Sequence, residues 1–83
     1  MRAAPGIHVE WVDDEAVALN PENGRIHYLN PAAALFYALV LENGYEGAMR
    51  ELRKNYKVRF RKKKKELEFL IHNMKEQGLL IDE

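Results

Sequence analysis

The sequence predicts an α+β domain with a three-stranded antiparallel sheet first and three helices after it. Between Ile7 and Leu29, apolar and polar side chains alternate in short runs separated by turn residues. At Asn30-Pro31 the pattern changes to helical spacing and keeps it as far as Gly78. Eighty-three residues leave no room for a second hydrophobic core, so residues 1–83 are read as a single domain.

In the first strand, Ile7, Val9 and Trp11 alternate with His8 and Glu10, and the acidic run Asp13-Asp14-Glu15 marks a turn. Val17 and Leu19 continue the alternation to Asn20-Pro21-Glu22-Asn23-Gly24, a strong turn signal. Arg25 to Leu29 forms the third strand, and connections this short make the three an antiparallel meander.

Asn30 is a favoured N-cap because its side-chain oxygen accepts a backbone N–H that has no partner within the helix; Pro31 follows at the first helical position. The first helix is predicted over 31–42, ending at Asn43-Gly44. Ala32, Leu35, Phe36 and Leu39 form a stripe expected to face the sheet, while Ala34, Tyr37 and Leu41 form another on the far side. Full burial of such a helix is hard in so small a domain, so Tyr37 is expected to be covered partly by a partner. A second helix over 45–56 carries Tyr45, Met49, Leu52 and Tyr56 on one stripe. After Lys57-Val58-Arg59, a third runs over 60–77 with Leu67, Leu70, Ile71 and Met74 inward, and Leu79-Leu80-Ile81 packs back on the core.

The composition narrows the chemistry. Without Cys there is no disulfide, thiolate metal site or cysteine nucleophile; without Ser or Thr there is no hydroxyl nucleophile and no Walker-type phosphate loop. His8, His27 and His72 lack metal-ligand spacing, and Asp13-Asp14-Glu15 lacks the every-second-residue pattern of a calcium loop. The chain is therefore expected to bind without catalysing, with no metal and no cofactor. Neither a secretory h-region nor a membrane span of roughly 18 apolar residues is present, which points to a cytoplasmic protein that does not engage a membrane.

Thirteen Lys+Arg balance thirteen Asp+Glu, but unevenly: residues 50–65 hold ten Lys/Arg against Glu51, a local charge of +9, and the rest carries −9. That run is either a solvated helix face or a surface that steers an acidic partner, with Lys62 and Lys65 among its members.

Two further features mark a binding surface. At 100° per residue Phe69 projects about 150° away from the core stripe of the last helix, framed by polar Lys65, Glu66, Asn73 and Glu76. The strand Arg25-Ile26-His27-Tyr28-Leu29 is an edge of the meander and holds neither Pro nor Lys to block another strand from pairing. Ile26 and Tyr28 share one face of this strand, His27 and Leu29 the other.

The segment from Leu19 to Asn30, with Gly24-Arg25 and Leu29-Asn30 as its most specific pieces, is followed by an Ala-rich helix with Leu35 and Phe36 and later by Phe69-Leu70 and Gly78-Leu79-Leu80. Over nearly the whole chain this resembles the PqqD-like precursor-peptide recognition elements of ribosomally made, post-translationally modified peptide pathways; His27, with Tyr28 beside it, departs from the aromatic often found two residues before the Leu. The resemblance implies a winged-helix-like fold that binds a leader peptide as an added antiparallel strand along Arg25, Ile26, His27, Tyr28 and Leu29. Lys62, Lys65, Glu66, Phe69, Leu70 and Asn73 would lie across the cleft. A free-standing element with Trp11 looks most like the lasso-peptide type, which presents its precursor to a separate transglutaminase-like leader peptidase or other modifying enzyme. The peptide chaperone of quinone-cofactor biosynthesis is the alternative within the family. A winged-helix nucleic-acid binder is the alternative outside it, disfavoured by zero net charge and by a basic run confined to the start of the last helix.

Overall fold

The computed structural model describes residues 1–55 and 64–83. A short strand β1 (Arg2–Ala3) precedes the meander β2 (His8–Val12), β3 (Glu15–Asn20) and β4 (Arg25–Leu29), ordered β2-β3-β4 and antiparallel throughout. Then come helix α1 (Pro31–Asn55), helix α2 (Lys64–Glu76) and a last strand β5 (Leu80–Ile81). The chain is thus α+β, with a three-stranded antiparallel sheet and two helices among the described residues.

Turn chemistry sets the register. Val12 pairs with Glu15 across a tight turn in which Asp13 takes a left-handed conformation (φ 57°), one that Asp tolerates better than most residues. Between β3 and β4 the Asn20 side chain accepts the Glu22 N–H at 3.0 Å, and the Asn23 side chain accepts the Arg25 N–H at 2.9 Å. The resulting rows place Val9, Ala18 and His27 on one face, with Trp11, Ala16 and Leu29 beside them. That face packs on α1.

Asn30 caps α1: its side-chain oxygen accepts the Ala33 N–H at 2.9 Å and its carbonyl the Ala34 N–H at 2.8 Å. Ala33, Ala34, Phe36, Tyr37 and Val40 form the buried stripe, at i, i+1, i+3, i+4 and i+7. The stripe is rotated from the one predicted: Ala32 and Leu35 are exposed, and Ala34 and Tyr37 lie inside. Size accounts for the rotation. Ala33 and Ala34 meet a sheet face that carries Ala16 and Ala18, and small side chains on both surfaces let the helix approach closely.

Tyr37 corrects a second expectation. It is only 1% exposed and its hydroxyl donates to the Leu79 carbonyl at 3.0 Å, so the chain covers it without a partner. Leu79 lies in the segment leading to β5, which pairs with β1 through Arg2↔Ile81 and Ala3↔Leu80 and brings both termini over α1.

The predicted break between helices over 31–42 and 45–56 falls inside α1, as a kink. Gly44 leaves helical geometry (φ 76°, ψ 170°, a region essentially restricted to glycine), so α1 is two helical segments that meet at a kink there. Phe36 and Tyr45 meet edge to face across this break, their ring centroids 6.3 Å apart. The Lys57–Arg59 connection and the predicted start of the last helix at residue 60 lie outside the described residues, as does Tyr56. Gly78 terminates α2: its N–H bonds the Lys75 carbonyl at 3.0 Å and the Leu79 N–H bonds that of Met74 at 2.9 Å, with Gly78 at φ 75°. This is the Schellman arrangement, and its apolar contact is made by two buried residues, Met74 and Leu79.

Candidate functional site: an open strand edge beside an apolar groove

β4 pairs with β3 on one side and with no other strand among the described residues. Half of its backbone N–H and C=O groups therefore point away from the sheet, ready to pair with an extended chain. Leu29 is buried and His27 half-buried against α1, whereas Ile26 (67% exposed) and Tyr28 (62%) stand on the opposite face. The His27 Nε2 is buried without a hydrogen-bond partner among the described residues.

Next to the end of this strand lies a groove of about 660 Å³. Tyr28, Leu29 and the capping residue Asn30 form one wall, and Ala32, Ala33, Leu35 and Phe36 of α1 form the base, with Leu52 beyond. From α2 come Lys65, Glu66, Leu67, Phe69, Leu70, Asn73 and Met74, closed by Gln77. The floor is apolar and buried at Leu29, Phe36 and Met74, while the mouth mixes polar Lys65 and Glu66 with exposed Leu35 and Phe69, the latter 67% exposed. An apolar floor under a few polar side chains is how pockets for peptides and small ligands are generally built.

The groove exists because the two helices approach the sheet differently. α1 runs close to β1, β3 and β4, whereas the close strand contact of α2 is with β5. A space is left between α2 and the β4 edge.

Of the predicted site residues, Tyr28, Leu29, Lys65, Glu66, Phe69, Leu70 and Asn73 converge on the groove. Arg25, Ile26 and His27 lie further back along β4 and do not line it, and Lys62 falls outside the described residues. Leu70 is half-buried and serves both the core and the groove wall. Sequence reasoning missed the α1 contribution, above all Leu35 and Phe36. The signal was present in a helix apolar on two sides, one of which turns out to face the groove.

The Tyr28 hydroxyl donates to the Glu15 carboxylate, which holds the ring over β3. That hydrogen bond is the main reason the phenol titrates above its ordinary range. Among the described residues no three His, Asp or Glu side chains gather as metal ligands, and no helix is long and apolar enough to cross a membrane. No family model, curated protein or solved structure matches the chain.

Proposed function

We propose that this chain is a non-catalytic, PqqD-like recognition element that binds the leader segment of a ribosomally made precursor peptide as a fourth strand on β4 and presents it to a separate leader peptidase or modifying enzyme, as in lasso-peptide biosynthesis. The observation that carries the reading is a strand edge left open among the described residues, running into a groove with an apolar floor and a solvent-facing Phe69 at its mouth. Backbone pairing supplies affinity for any extended chain. Pockets at alternate peptide positions supply selectivity, since side chains of an added strand point alternately into and away from the groove.

In this reading α1 counts as two helices joined at Gly44 and α2 as the third, which together with the meander makes a winged-helix-like arrangement. The setting is the cytoplasm, and neither nucleic acid nor a membrane is a partner. Leu35 and Phe69 flank an apolar anchor of the peptide, and Asn73 and Gln77 are placed to hydrogen-bond its polar groups.

Amide hydrogen exchange with and without a synthetic leader peptide tests the proposal. On saturation, one alternating set of β4 amides, either Ile26 and Tyr28 or Arg25, His27 and Leu29, gains protection. An unchanged exchange pattern over the whole of β4 would sink it. A salt titration separates the nucleic-acid alternative, because phosphate binding collapses steeply with ionic strength while strand addition on apolar anchors weakens mildly.

A further inference from the structure

The sheet face turned away from α1 is largely apolar and carries no covering element among the described residues. In register, His8, Leu19 and Ile26 form one cross-strand row and Glu10, Val17 and Tyr28 the next, with Val12 beside Glu15 at the hairpin end. Ile26, Tyr28 and Val12 (60%) are largely exposed, and Val17 and Leu19 are half-buried. An antiparallel sheet with one solvated face ordinarily places polar residues there. Here five of the outward positions are Val, Val, Leu, Ile and Tyr.

The border of this face has a sign. Residues 8–29 contain Glu10, Asp13, Asp14, Glu15 and Glu22 against Arg25, a net charge of −4, and three of the acids sit together at the β2–β3 turn. The cationic residues 50–65 belong to another part of the chain.

We propose that this face docks the enzyme that acts on the bound peptide, through an enzyme surface with an apolar centre and a Lys/Arg border. The inference rests on the peptide-presenting reading above and adds the surface and the partner's chemistry. Charge favours such a partner over a second copy of this chain, because a symmetric contact sets the same acidic face against itself. Position favours it as well: Tyr28 stands on this face and also lines the groove, so an enzyme docked here lies beside the added strand.

Two variants of the full chain test the docking. Val12→Lys puts a cation among the exposed apolar side chains at the hairpin end of the face, and the pair Asp13→Asn with Asp14→Asn removes charge from the border; none of these residues lines the groove. Two amphipathic Leu-rich peptides, one with Lys and one with Glu on its polar face, serve as probes in NMR shift mapping. A purified transglutaminase-like leader peptidase is titrated in parallel, without leader. The Lys peptide should shift the Val12, Val17 and Leu19 amides and the Glu peptide should not. Val12→Lys should weaken enzyme binding at least about tenfold with leader affinity unchanged. The double variant should slow enzyme association at low salt and match wild type at high salt. Three outcomes would overturn the docking surface: equal mapping by both peptides, enzyme affinity indifferent to both variants, or self-association of the chain that Val12→Lys disperses. Failure of the leader itself to bind wild type would instead remove the peptide-presenting reading, which is measured separately.

Discussion

Helix α1 treats two of its neighbours, the meander sheet and α2, differently. Toward the sheet it presents Ala33 and Ala34 to Ala16 and Ala18, all buried, and the surfaces close. Toward α2 it presents Leu35 and Leu52 with Phe36 at the base, and a groove remains. Small side chains on both sides of a seam permit close packing, whereas large ones facing an element anchored elsewhere leave volume between them. The closed seam supplies stability, and the open one supplies a place for a ligand.

Phe36 belongs to both seams, so its loss should have the largest effect. Phe36→Ala should cost about 3–5 kcal/mol in chemical denaturation, and in a domain this small should abolish leader binding along with the fold. Ala18→Leu tests the closed seam alone. A larger side chain at this fully buried position should destabilise by about 1–3 kcal/mol, and leader affinity should be retained wherever the variant is still folded. Tolerance without loss of stability would show that the seam is not tight.

Phe69→Ala is the converse. It should weaken leader binding by about 1–3 kcal/mol while thermal stability stays within about 0.5 kcal/mol of wild type, because the ring is exposed and outside the core. If stability falls and binding holds, the roles of the two seams are misassigned.

Tyr37→Phe gives a smaller effect, about 1 kcal/mol at neutral pH, by removing the hydroxyl that holds Leu79 and with it the approach to β5. Burial pushes the Tyr37 phenol up to about 12. Its folded-state pKa therefore lies above the unfolded one, so its contribution is complete below pH about 10 and is lost as pH rises toward 12. Stability curves across that window should fall less steeply for the Phe variant. The smallest effect is expected at the groove mouth, where Lys65→Gln should slow association of an acidic leader at low salt and leave dissociation unchanged.

How much of the site was legible depends on the distance over which each feature is decided. Phe69 was readable as outward because its angle to Leu67, Leu70 and Met74 is a property of one helix. The β4 edge was readable because consecutive strands with short turns leave the last one unpaired unless the chain returns. Leu35 was assigned to the wrong neighbour and Phe36 to only one of its two, since a helix apolar around much of its circumference has a periodicity that does not say which side meets the sheet. Tyr37 was misread for the same reason: the carbonyl that takes its hydroxyl comes from Leu79, 42 residues on.

The sequence by itself determined the local architecture: strand alternation from Ile7 to Leu29, the turns at Asp13 and Gly24, the Asn30 cap and the Gly78 stop. Each follows from backbone conformation and hydrogen bonding within a few residues. Only the tertiary structure decided the rotation of α1, the joining of β1 to β5 and the gap between α2 and β4. These depend on how closely surfaces distant in sequence approach, and that is set by side-chain volume on both partners at once.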